Sequence, residues 1–209
     1  QEGCGGVIVE GTSVSPEGRI STADLGIWDN KHIESHSILL QLIEKSGCVP
    51  GTQLTHAGQK ALGESLYMNY QEVRKRKNNW DEVVTAPLHY LPNNFNSQLL
   101  SLEDINNIIS HFKTAAERAI TAGYKIIEIH AAHGFLIHQF LSPLTNKRTD
   151  KYGGSLDNRI RLLMEITESI ENMMTENHSL WVRIAATEWV EKGWSFNDSV
   201  YLANMLKHK

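Results

Sequence analysis

The connection lengths constrain this chain most. Apolar segments with strand character alternate with segments of helical period, and the two long connections, 55–100 and 141–156, both follow strands. The returns from helix to strand are short. That asymmetry predicts a (β/α) barrel, in which the loops that carry chemistry follow the strands and the opposite face is trimmed. A doubly wound open sheet is the competing fold, but no Gly-x-Gly-x-x-Gly follows the first strand. Residues 1–209 are read as a single α/β domain.

The elements follow from periodicity. Residues 7–10 form a short apolar run between glycines. Residues 29–46 then carry Ile33, Ser37, Leu40 and Ile43, with Leu39 and Leu42 beside them, on one helical face closed by Gly47. Residues 48–54 read as the next strand, although Pro50 removes a ladder donor and predicts a distorted or late start. A helix begins at Ser101, capped through Ser-x-x-Asp to Asp104. Leu102, Ile105, Ile108, Ile109, Phe112, Ala116 and Ile120 recur at helical spacing before Gly123. Strand 125–129, a helix from about 157 to 170, strand 180–186 and a helix over 197–206 complete four strand-helix units.

Composition excludes several classes. A net charge of −4 points to neither a nucleic-acid nor a membrane-surface partner, and no run has the length of a spanning helix. The two cysteines, Cys4 and Cys48, are too few for a secreted disulfide framework and form no metal-ligand pair. They are expected to be small core residues in a cytoplasmic, reducing compartment. The opening Gln1-Glu2-Gly3-Cys4-Gly5-Gly6 resembles the end of a helix and a turn, so the beginning of the protein is expected to lie upstream.

The densest chemistry lies at 129–159. His130 and His133 sit where the apolar run 125–129 stops, which delivers both imidazoles at the carboxyl end of a buried strand. Two N–H donors a few ångströms apart can hold one carbonyl or nitro oxygen and stabilise charge growing on it. Capped or core histidines are the plainer reading, and a metal site that recruits His138 is a rival. No acidic partner is expected, because Glu128 should point oppositely to Ile127 and Ile129.

The run His130-Ala-Ala-His133-Gly-Phe135, continued to Ser142-Pro143, with Asn146-x-Arg148-Thr-Asp-x-Tyr152-Gly-Gly-Ser155 and Asp157-Asn-Arg159, resembles the Old Yellow Enzyme family of FMN-dependent NADH:flavin oxidoreductases. The segments Val9-Glu10-Gly11, Pro16-x-Gly18-Arg19-Ile20, Asp24-Leu-Gly-Ile-Trp28, Gln53-Leu-Thr-His56-Ala-Gly58 and Trp181-Val-Arg183 agree in order, most closely with the thermophilic-like branch. The resemblance implies part of a TIM (β/α)8 barrel, about strands 2 to 5 with their helices. It also implies hydride transfer from NADPH or NADH to FMN, and from flavin to an activated alkene, quinone or nitro compound. A homo-oligomer is expected of the complete form.

Under this resemblance Gln53 contacts the flavin, since a carboxamide matches the alternating donors and acceptors of a pyrimidine edge. Arg183, inside an apolar strand, needs a strong acceptor, and the family places it at the flavin's N1 and O2 region; a structural salt bridge is the alternative. Gly11 is expected at the end of the first strand, where a missing side chain admits a flat ligand. His130 and His133 become the substrate-oxygen clamp, and no metal is expected. His56, Lys60 and Trp28 are read as structural, and 146–159 as loop architecture with Ser155 or Asp157 capping the next helix.

Two departures bear on chemistry. Phe135 stands where the family usually carries tyrosine, and phenylalanine has no proton to give the carbon α to a carbonyl. Gln59 and the pair Asn78-Asn79 before Trp80 also depart. By resemblance the first barrel strand and the last three units, with the phosphate-gripping loop, lie outside this segment. Weak FMN binding and self-association through exposed parallel edges are therefore expected of the segment alone. A non-catalytic remnant of such an enzyme and a metal-dependent barrel hydrolase are the other functional classes.

Overall fold

The computed structural model describes residues 3–61, 82–84 and 97–207. Four parallel strands form the main sheet in the order of the chain: β1 (Gly6–Ser13), β2 (Val49–Thr55), β5 (Ile126–Ala131) and β6 (Ser179–Ile184). Between them lie α1 (His32–Lys45), α2 (Leu102–Ala122) and α4 (Leu156–Glu171), and α5 (Phe196–Lys207) follows β6. In a doubly wound sheet the strand order reverses at a switch point. Here it never does, so the sheet is a segment of barrel wall.

The expected units are present, with shifted limits. Strand β1 runs to Ser13 rather than ending at Glu10, and its register slips between Val9 and Gly11. Gly11 is therefore inside the strand, opposite Gln53, and not at its end. Strand β5 continues two residues beyond Ile129, which brings His130 into the ladder opposite Arg183. Pro50 is accommodated as the second residue of β2, and its carbonyl accepts from the Lys125 N–H at 2.9 Å. Two features were not expected: a short parallel pair, β3 (Glu82–Val84) and β4 (Ser97–Leu99), and a helix α3 (Leu136–Leu141) in the connection after β5.

Helix α2 ends as its sequence dictates. Ser101 caps it through a reciprocal box with Asp104, and Gly123 closes it at φ 116°, a left-handed turn that L side chains rarely adopt. Its buried face, Ile105, Ile108, Phe112, Ala115, Ala116 and Ala119, packs with Ile127 and Ile129 from β5 and Leu162, Leu163 and Ile166 from α4 in one apolar cluster. Leu39 and Leu42 of α1, expected beside the apolar face, are instead exposed; His36 is buried there, bonded to the Tyr124 hydroxyl at 2.8 Å. The connection after β5 is held by Asn146. Its Nδ2 donates to the carbonyls of Phe140 and Tyr152, and its Oδ1 accepts from the Arg148 N–H. Ser155 accepts from the Asn158 N–H and caps α4.

Candidate active site

Residues that alternate along β5 divide between two faces. Ile127, Ile129 and Ala131 enter the core, which leaves Glu128 and His130 together on the other face. Glu128 does point away from Ile127 and Ile129, but that direction is also His130's, so the histidine has the acidic neighbour that was not expected. Glu128 is buried, and its Oε1 accepts from Gln53 Nε2 at 2.5 Å and from Arg183 Nε at 2.8 Å. Three strands thus converge on one carboxylate. Glu128 is the residue the sequence reading missed, and counting parity from His130 would have found it.

The guanidinium of Arg183 is satisfied at Nε by that pair, and its side chain is half exposed. The Glu128 hydrogen bond, reinforced by the charge, raises its pKa further. The bond from Gln53 Nε2 fixes the carboxamide orientation, so the opposite end of the amide, Oε1, is the acceptor it offers. A Cβ built on Gly11 would lie 3.5 Å from that oxygen and 3.4 Å from Thr55 Cγ2. The glycine therefore keeps the space beside Gln53 clear. A carboxamide oxygen, a cationic fork and a cleared backbone on one face suit the pyrimidine side of a flavin.

The two histidines are bonded to each other. His130 Nδ1 accepts from the Ala132 N–H at 3.2 Å, so its proton sits on Nε2, 3.2 Å from His133 Nδ1. His133 adopts φ 59°, a left-handed conformation unusual for a residue with a side chain. Burial, with the nearby His133 and Arg183, lowers the His130 pKa to about 4 despite the opposing Glu128. His130 is therefore neutral at physiological pH and donates as imidazole. Phe135 stacks edge-on against His130 at 4.8 Å between ring centres, and Lys60 donates to the His133 carbonyl at 2.5 Å.

His138 does not join them as a third ligand. Its Nδ1 accepts from the Gly134 N–H at 2.8 Å, and its Nε2 faces Glu188 at 3.8 Å. Among the described residues no group of three or more His, Cys, Asp or Glu is placed to hold a metal ion. His56 is buried, its Nδ1 accepting from the Gly58 N–H. Trp28 carries Arg19 over its ring at 4.9 Å. Gln59 N–H donates to Gln139, whereas Asn78, Asn79 and Trp80 lie outside the described residues.

The family model for NADH:flavin oxidoreductases and NADH oxidases matches residues 1–209. The chain belongs to this family. It is 39% identical over 203 residues to the NADPH dehydrogenase of Bacillus subtilis, covering 97% of this chain and 55% of that protein. An NADH:flavin oxidoreductase of Gibberella zeae is 39% identical over 207 residues, covering 95% and 49%. Among solved structures, the Old Yellow Enzyme homologue of Zymomonas mobilis superposes with a TM-score of 0.76 at 26% identity, over 95% of this chain and 56% of that one. The chain thus spans about half the length of the curated relatives it matches. FMN with NADPH or NADH is the cofactor set of the family. No described helix is long and apolar enough to cross a membrane.

Proposed function

We propose that this chain supplies the substrate clamp and the pyrimidine side of the flavin site in an FMN-dependent NAD(P)H oxidoreductase of the ene-reductase type. The observation that carries the reading is the convergence of Gln53, Glu128 and Arg183 on the sheet face that also carries His130, which stands opposite Arg183 and is bonded to His133. FMN, when bound, supplies a hydride carrier that a reduced nicotinamide recharges.

The residues would act as follows. Gln53 Oε1 accepts from a ring N–H, while Glu128 prevents the amide from turning over. Arg183, held at Nε, directs its terminal N–H groups at an anionic ring edge and favours the reduced state. A substrate oxygen takes the His130 Nε2–H in place of His133 Nδ1, and His133 turns to add its own N–H. The clamp therefore trades an internal hydrogen bond for two to substrate. Phe135 closes the site without offering a proton, so substrates that take their proton from solvent, quinones and nitro compounds, are favoured over enones and enals.

The test uses the full-length protein that contains this segment, loaded with FMN. Under anaerobic conditions NADPH or NADH should bleach the flavin, and a quinone or nitroaromatic should restore its colour. A flavin that neither nicotinamide reduces would overturn the proposal. The compartment that suits this chemistry is the reducing cytoplasm.

A further inference from the structure

Cys4 and Cys48 are 44 positions apart in sequence, yet their sulfurs lie 3.0 Å from each other. Cys4 is exposed rather than part of the core, and Cys48 is buried. The contact sits at the amino-terminal end of β1 and β2, where Gly6 pairs with Val49 and the Val49 N–H donates to the Gly5 carbonyl at 3.0 Å. Cys48 Sγ also donates to the Cys4 carbonyl at 3.1 Å. The ladder thus holds the two backbones at strand spacing, and the sulfurs need to close by about 1 Å to reach the bonded distance of ~2.05 Å.

We propose that Cys4 and Cys48 form a redox-sensitive disulfide that ties β1 to β2, with a low-molecular-weight disulfide as oxidant. Backbone freedom for the closure comes from the neighbours: Gly3, Gly5 and Gly47 have no atom within 4 Å of a built Cβ, and Gly3 and Gly47 hold positive φ. Chemistry begins at the exposed sulfur. The Cys4 thiolate attacks one sulfur of the oxidant and expels a small thiolate, leaving a mixed disulfide on Cys4. The Cys48 thiolate then attacks Cys4 Sγ and expels the second small thiolate. The protein gives up two electrons and two protons, and the oxidant becomes two thiols. The hydrogen bond with Cys4, aided by burial, raises the Cys48 pKa, so the second step should quicken as pH rises. In the barrel wall this is the end opposite His130 and His133, so the bond forms independently of the flavin reading.

The test is incubation of the chain with oxidised glutathione, with dithiothreitol as the control. The expected product has no intermolecular disulfide, is lighter by two hydrogens per chain, and yields a linked Cys4–Cys48 peptide. Cys48→Ser should stop at a stable glutathione adduct on Cys4, and Cys4→Ser should leave Cys48 free. The oxidised chain should also melt roughly 5 °C or more above the reduced one. Stable glutathione adducts on the unsubstituted chain, a disulfide-linked dimer, two thiols that stay free, or an unchanged melting temperature would each overturn the proposal.

Discussion

Acid should destabilise this fold through two particular imidazoles. His130 and His56 are both almost wholly buried, and each uses Nδ1 as an acceptor, from the Ala132 and Gly58 N–H groups respectively. Protonating Nδ1 would turn each acceptor into a donor facing another donor. Burial is the main cause that lowers both pKa values to about 4 from an ordinary 6.5, with Glu17 opposing and His111 assisting at His56. The unfolded chain therefore binds protons at 6.5 that the folded chain refuses until about 4. Stability is complete above pH 6.5 and is lost as pH falls toward 4.

At pH 5 this linkage costs about 2 kcal/mol for each histidine, or about 4 kcal/mol for the pair, a large share of the ~5–15 kcal/mol that domains possess. With a urea slope of about 2 kcal/mol/M, the midpoint should drop by roughly 2 M between pH 7.5 and pH 5. The assay is urea unfolding followed by tryptophan fluorescence at both pH values. The double variant His56→Gln, His130→Gln carries neutral amides in place of the rings. Although weaker at pH 7.5, it should lose about 4 kcal/mol less on acidification. Equal losses in the two proteins would refute the reasoning, because the sensitivity would then lie in other groups.

Three further outcomes follow from the site and its supports. In the full-length, FMN-loaded protein, Phe135→Tyr should raise alkene reduction about 10²-fold or more by placing a phenol beside His130; an unchanged rate in a stopped-flow oxidative half-reaction defeats this. Glu128→Gln in the same protein removes the charge that Arg183 neutralises, so the two-electron flavin potential should rise by about 20–30 mV; spectroelectrochemistry showing no rise would separate Arg183 from the flavin. Gly58→Ala should destabilise by ~2 kcal/mol or more, because φ is 59° and a Cβ there would lie 2.5 Å from Gln139 Oε1 and 2.9 Å from Leu136 Cα; a urea midpoint at the parent value would contradict it.

Much of the fold was readable because helices and strands announce themselves by period and punctuation. The Ser101–Asp104 box and Gly123 fixed both ends of α2, and the apolar run before His130 placed a strand end. The parts that escaped are set by distance rather than by local pattern. All six residues of α3 are buried, so Leu136–Leu141 shows no polar face from which a period can be read. The Cys4–Cys48 contact depends on the parallel register of Gly6 against Val49, which neither cysteine's neighbours encode. Gln53 and Arg183 were legible as single residues. Their shared partner was not, because the register that sets Glu128 opposite Gln53 and one step below Arg183 is a long-range property of three strands.

The register turns those residues into layers. Toward the amino-terminal end, Ile8 and Ile126 crowd over Gly51, where a Cβ would lie 2.4 Å from Ile8 Cδ1 and 2.9 Å from Ile126 Cβ. The glycine lets two large side chains meet across the strand between them, which makes this level packing. One step up, Gly11, Gln53, Glu128 and Trp181 stand opposite one another, and above them come Ser13 opposite Thr55 and His130 opposite Arg183. Polarity thus rises along the barrel axis, from aliphatic contacts to a shared carboxylate to an imidazole pair. The outward faces of the same strands place Leu54, Ile127, Ile129 and Val182 in or against the core, with Thr12 and Thr52 buried beside them and hydrogen-bonded to each other at 3.2 Å. A charged carboxylate buried on the inward face is stable because two donors from neighbouring strands meet it, and those donors retain further hydrogen-bonding capacity toward the lumen. The sheet therefore concentrates its unspent polar groups at the carboxyl ends of its strands, the end at which a barrel can receive a ligand.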